Sequence, residues 1–124
     1  MRNLGISLSI AALLALAGAA RPASAASFDG DWSVVVITEA GECDRAYRYP
    51  LKVVNGSIRY EGEASVTISG RVDQSGRLSA SVQRGEQRAD GTGRLSGTSG
   101  AGTWIGKSRT SQCSGRWEAE KREG

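Results

Sequence analysis

The chain has 124 residues, sixteen of them Lys or Arg and thirteen Asp or Glu, and it contains no histidine. Without an imidazole it cannot use a histidine general base, a Ser-His-Asp or Cys-His nucleophile, or a His-containing zinc site. Most familiar enzymatic designs are thereby excluded. We expect a protein that is not an enzyme and that carries no metal or cofactor.

Residues 1 to 25 have the features of a secretory signal peptide. Arg2 is the charge of the n-region, and the apolar stretch over residues 6 to 20 is shorter than the roughly 20 residues of a membrane span. Ala23 and Ala25 form a small-x-small cleavage signature, so we expect the mature chain to begin at Ala26. No cysteine follows the cut to carry a lipid. The prediction is a bacterial protein of the periplasm or the medium, without a membrane span after cleavage; an uncleaved anchor is the alternative.

Residues 26 to 124 fit one small domain. Loss of Arg2 and Arg21 leaves fourteen basic residues against thirteen acidic ones, a net charge of +1. We therefore expect no nucleic acid partner, and we expect a monomer.

The mature sequence is patterned as short β-strands. Its fifteen glycines and single proline stand in turn-like clusters at short intervals, and no segment keeps a helical period. The sequence Asn55-Gly56 is typical of a two-residue hairpin turn. We predict strands over residues 31–38, 43–54, 57–61, 64–72, 77–83, 87–96, 101–106 and 112–121.

Short turns between consecutive strands favour an all-β, antiparallel meander of about eight strands that closes, or nearly closes, into a barrel. A two-sheet β-sandwich is the alternative. The pattern Gly-x-Trp occurs three times, ending at Trp32, Trp104 and Trp117. If the first and last strands are neighbours, these tryptophans lie near one another.

Cys43 and Cys113 are the two cysteines of the chain. An even pair in an exported protein predicts one disulfide. In a closed sheet the strands that carry them come within bridging range.

Six aromatic residues fall on the inward side of the predicted strands. At one mouth of a barrel they could line a site for a small apolar ligand, because eight-stranded barrels either fill with side chains or hold one such ligand. A packed aromatic core is the alternative. These candidate ligand-binding residues are Trp32, Tyr47, Tyr49, Tyr60, Trp104 and Trp117.

Charged residues suggest no further site. The outward arginines alternate with acidic residues, which is typical of a mixed polar surface rather than of a positively charged stripe that binds a polyanion. Carboxylates cluster around the first strand, but a short solvated loop favours neither acid–base catalysis nor calcium binding. This cluster comprises Asp29, Asp31, Glu39, Glu42 and Asp44.

Three segments carry a resemblance: Phe28-Asp29-Gly30-x-Trp32, the stretch Cys43 to Pro50, and the ending Gly102-Thr103-Trp104 with Cys113-Ser114-Gly115-x-Trp117. Together they resemble small exported β-rich proteins of Gram-negative bacteria, a group that implies no activity. In architecture the chain is also similar to avidin-type and lysozyme-inhibitor-type barrels, by analogy alone.

We therefore predict an exported binding protein that engages a protein or an envelope polymer through its turns and outer face. Two alternatives stay open: binding of a small ligand at the aromatic mouth, and a passive structural or stress-related role in the envelope.

Overall fold

A computed structural model describes residues 28 to 123. The predicted signal peptide and its cleavage site lie outside this range. No helix in the described residues is long and apolar enough to cross a membrane. The structure consists of eight strands: β1 (Gly30–Ala40), β2 (Ala46–Val54), β3 (Ser57–Tyr60), β4 (Thr67–Val72), β5 (Arg77–Arg84), β6 (Gln87–Ser96), β7 (Ser99–Lys107) and β8 (Gln112–Glu123).

The strands form a closed antiparallel barrel in sequential order, which confirms the predicted all-β barrel over the sandwich. Strand β1 closes it by pairing with β2 on one side and with β8 on the other. Closure leaves no unpaired outer edge strand. The pairing between β3 and β4 is the shortest, with the single residue pair Ser57–Arg71.

The hairpin at Asn55-Gly56 has the predicted geometry. Asn55 has φ of 51° and Gly56 has φ of 81°, as a type I′ turn requires at both central positions. The Asp29 carboxylate accepts a hydrogen bond of 2.9 Å from the Asn55 backbone N–H. This contact joins the segment before β1 to the turn between β2 and β3.

Most strand boundaries differ from the predicted ones by one to three residues. The largest differences are at β2 and β4, which begin at Ala46 and Thr67, three residues later than predicted. Cys43 lies in the β1–β2 loop because the disulfide holds it against β8 rather than in register with β1.

One end of the barrel is packed shut, and we call it the closed end. Phe28, Trp32, Val53, Val72 and Leu95 are each at most 8% exposed there. The Trp32 indole N–H donates a 2.8 Å hydrogen bond to the Phe28 carbonyl, which fixes the N-terminal segment across this end. A space of about 20 Å³ lies beside Trp32, Val53 and Leu95, room for about one water.

The disulfide between Cys43 and Cys113 joins the β1–β2 loop to the start of β8, with 6.2 Å between the two Cα atoms. Such a bond is compatible with an oxidising, exported location. Cys113 is buried, whereas Cys43 is exposed at the opposite end from Phe28. The bond therefore fastens a loop at the second, open end of the barrel.

Two tryptophans of the Gly-x-Trp pattern face glycines on neighbouring strands. In the register of β7 and β8, Gly102 pairs with Trp117 and Gly115 pairs with Trp104. The Trp117 indole lies over β7 and β6 and donates a 3.0 Å hydrogen bond to the Thr92 carbonyl. Gly102 thus leaves the space that the Trp117 indole occupies, whereas a Cβ on Gly115 would meet the Ile37 carbonyl of β1.

Candidate functional site

A cavity of about 360 Å³ occupies the barrel interior at the open end. This volume lies within the roughly 300–1,000 Å³ range of small-molecule sites. Its wall is mainly apolar and comes from inward positions of all eight strands, including Val34 and Val36 of β1, Leu51 of β2, Ile58 of β3, Ile68 of β4, and Leu78, Ala80 and Val82 of β5. The interior of this barrel is therefore filled at one end and hollow at the other.

Small residues at inward positions create the hollow. Ala80, Ala89, Gly91 and Gly106 line the cavity on β5, β6 and β7, where larger side chains would fill an eight-stranded barrel. A Cβ on Gly91 would lie 3.6 to 3.7 Å from its nearest neighbours, an ordinary van der Waals contact. At Gly91 the chain therefore leaves a space that a methyl group would fit, whereas a Cβ on Gly106 would lie only 3.1 Å from the Arg88 carbonyl oxygen.

The six aromatic candidates separate into two groups. Tyr47, Tyr49, Trp104 and Trp117 line the cavity. Trp32 lies instead in the closed end, where it is 3% exposed. Tyr60 stands behind Tyr49, with the two ring centroids 6.1 Å apart and the planes at 75°, and its hydroxyl accepts a 3.1 Å hydrogen bond from the Ala64 N–H.

The tyrosines form a continuous aromatic wall. Tyr47 and Tyr49 have ring centroids 4.6 Å apart and planes tilted by 39°. Burial raises the pKa of the Tyr49 phenol, and the neighbouring positive charge of Arg84 partly opposes this rise. The wall thus combines apolar ring faces with one desolvated hydroxyl.

Arg84 places a positive charge at the mouth of the cavity. Its guanidinium lies 5.0 Å from the centroid of the Tyr47 ring, a cation–π distance. The side chain is half-buried and lines the cavity. Among the side chains of residues 28 to 122, no carboxylate lies within 4 Å of this guanidinium.

The rim of the cavity is braced by contacts between its loops. Thr38 donates a 2.6 Å hydrogen bond from its hydroxyl to the Asp44 carbonyl, which holds the β1–β2 loop. Arg109 and Glu86 form an ion pair of 2.7 Å between the β7–β8 loop and the β5–β6 turn. With the disulfide, these contacts give the mouth a defined outline.

The predicted carboxylate cluster is divided between the two ends of the barrel. Asp29 and Asp31 lie at the closed end, where Asp31 pairs with Lys52 at 3.8 Å. Glu42 and Asp44 lie at the rim of the cavity. In the described part of the chain, no group of three or more Cys, Asp or Glu side chains is placed to hold a metal ion.

Arg84 is a site residue that the sequence prediction missed. The predicted fifth strand ends at residue 83, whereas β5 continues to Arg84. The signal was present: the alternation of Leu78, Ala80 and Val82, extended by one step, places Arg84 on the inward side.

Comparison with protein-family models, curated proteins and solved structures finds no match to this chain. The function must therefore be argued from the site itself.

Proposed function

We propose that this exported barrel binds a small, largely apolar ligand in the cavity at its open end. The observation that carries the proposal is the hollow of about 360 Å³, lined by aromatic and aliphatic side chains and open at a braced mouth. An apolar ligand would remove this wall from water, and each Å² of apolar surface so buried contributes about 25 cal/mol.

The distribution of packing supports this proposal. The closed end is filled by Phe28, Trp32 and Leu95, so the chain can pack its interior tightly. At the open end β5 and β6 carry Ala80, Ala89 and Gly91 at inward positions instead. Along β6 the inward side chain changes from Leu95 at the closed end to Gly91 and Ala89 at the open end, which is the pattern of a ligand cavity built on a packed base.

The test is titration with a neutral apolar dye, N-phenyl-1-naphthylamine, whose fluorescence rises in an apolar site. We expect saturable binding at one dye per chain, with energy transfer from Trp104 and Trp117. Ala80→Leu places a larger side chain in the cavity and should abolish binding. Ser79→Leu is the matched control, because Ser79 is the adjacent, outward and exposed position of β5.

Two results would refute the proposal: no saturable binding to the wild-type chain, or equal binding by the Ala80→Leu and Ser79→Leu variants. Thermal unfolding of both variants shows that each is folded before its binding is compared.

Binding of a protein or an envelope polymer through the outer face is the second candidate function. The feature that favours it is Ile105, which is 67% exposed on β7, opposite Asp90 and Ser114 on the neighbouring strands. A stoichiometric partner recovered by cross-linking from the periplasm should then be lost with Ile105→Ser and retained with Ala80→Leu. The reverse pattern would favour the cavity.

A further inference from the structure

We propose that the ligand of the cavity is an amphipathic anion, with its apolar part inside the barrel and its carboxylate paired with the Arg84 guanidinium. This inference rests on the proposed function and specifies the chemical class of ligand. It predicts a single apolar chain or ring that ends in one anionic group.

The position of Arg84 in its strand is the first argument. Leu78, Ala80, Val82 and Arg84 occupy alternate positions of β5 and line the cavity, whereas Arg77, Ser79 and Gln83 alternate with them. Arg84 is the last residue of β5, so its charge stands where the apolar wall meets the mouth. A ligand with its apolar end inside would bring its head group to this level.

The surroundings of Arg84 are the second argument. Arg84 is a half-buried residue whose guanidinium lies 5.0 Å from the Tyr47 ring centroid, and it forms no ion pair with the side chains that the structure describes. By contrast, Arg88 on the next strand pairs with Asp90 at 3.2 Å. A planar guanidinium with free N–H donors matches a carboxylate in a two-pronged arrangement.

The other charges at the mouth are less well placed to select a ligand. Arg88 and Lys107 also border the cavity, but they are cross-strand partners at outward positions of β6 and β7, and the Asp90 carboxylate lies close enough to both for their charges to lower its pKa. Glu42 and Asp44 belong to the exposed β1–β2 loop. They lie at the rim in contact with solvent, where charge interactions are weak and screened.

Glu42, Asp44 and the tyrosine rings would favour the alternative to an anion, namely a cationic ligand. Aromatic faces and carboxylates together attract quaternary ammonium groups. Arg84 already occupies the face of Tyr47, however, and its own positive charge repels a second cation there. The arrangement therefore favours the anion.

The experiment compares three ligands that share a ten-carbon chain: decanoate, decanol and decyltrimethylammonium. Each displaces N-phenyl-1-naphthylamine from the full mature chain at neutral pH and low salt. We expect the wild-type chain to prefer decanoate over decyltrimethylammonium by at least about tenfold, which corresponds to about 1.4 kcal/mol. The preference should weaken as salt is raised.

Arg84→Gln should reduce decanoate affinity by about tenfold or more while leaving decanol affinity within about twofold. Arg94→Gln is the matched control, because Arg94 is exposed at an outward position of β6, and it should change neither. Equal loss of decanoate and decanol in Arg84→Gln, or preferential binding of decyltrimethylammonium, would overturn the inference. Failure of all three ligands and of the dye would instead refute the proposed cavity function.

Discussion

Adding one methyl group at two neighbouring inward glycines of β6 should have opposite consequences. A Cβ on Gly93 would lie 2.5 Å from Cζ2 of Trp117 and 2.7 Å from the Gly102 Cα. A Cβ on Gly91 would have no neighbour closer than 3.6 Å. Neither glycine has positive φ, so the difference between Gly93→Ala and Gly91→Ala reports packing and not backbone strain.

The magnitude follows from what Gly93→Ala must displace. Overpacking of a filled site costs about 1–3 kcal/mol. Movement of the Trp117 indole also weakens its 3.0 Å hydrogen bond to the Thr92 carbonyl, which contributes about 0.5–1.5 kcal/mol. Alanine also lowers the conformational entropy of the unfolded chain, which stabilises the folded protein by about 0.4–1 kcal/mol and offsets part of this loss. We expect a net loss of about 2 kcal/mol in the free energy of unfolding.

Gly91→Ala also reduces the conformational entropy of the unfolded chain, but it causes no clash in the folded protein. Its stability should therefore equal or slightly exceed that of the wild type. Urea unfolding followed by tryptophan fluorescence measures both variants, and near-ultraviolet circular dichroism reports the position of Trp117. The packing argument is refuted if the two variants are equally stable, or if Gly91→Ala is the less stable one.

Three further predictions concern the disulfide, the β3–β4 pairing and one acidic residue. Replacing Cys43 and Cys113 by serine opens a loop whose ends are 70 residues apart in sequence, and the chain-entropy model predicts a loss of about 4 kcal/mol in the free energy of unfolding. A melting temperature within a few degrees of that of the oxidised wild type would contradict this prediction. Strands β3 and β4 share one residue pair, whereas β6 and β7 pair along nearly their whole length. Amide hydrogen exchange, followed by mass spectrometry, should therefore be about tenfold or more faster in peptides of β3 and β4 than in those of β6 and β7. Equal protection of the two pairs of strands would contradict this prediction. The pKa of Asp73 is lowered mainly by its hydrogen bond from the Ser75 hydroxyl, and its carboxylate also accepts the Ser75 and Arg77 backbone N–H groups at 2.9 and 3.0 Å. Asp73 should therefore make its full contribution to stability above its pKa in the unfolded chain, which is about 4, and lose it as the pH falls through its lower pKa in the folded protein. Asp73→Asn removes this contribution, so the melting temperature of the variant should depend less steeply on pH on the acid side.

Much of the fold could be predicted from local pattern. Alternating residues such as Tyr47, Tyr49, Leu51 and Val53 gave β2 its inward face, and Asn55-Gly56 gave the turn that follows it. The order of the strands followed from the short turns. The pairing of Cys43 with Cys113 needed only the assumption that the chain is exported.

The candidate site was less predictable, because it depends on residues that are distant along the chain. Trp32 and Tyr47 have the same inward parity, yet one lies in the closed end and the other at the mouth. Parity tells on which side of a strand a residue lies, whereas height along the barrel depends on the register between strands. Arg84 became visible as a site residue only when the wall around it was known.

The sequence by itself determined the strand pattern, the tight turns and the inward aromatic set, since these depend on residues one to four positions apart. The tertiary structure decided that β1 and β8 close the sheet and that the interior is packed at one end and hollow at the other. It also decided that the charge of Arg84 stands above that hollow. These outcomes depend on strand register and on the summed volume of side chains from several strands, which no local window of sequence contains.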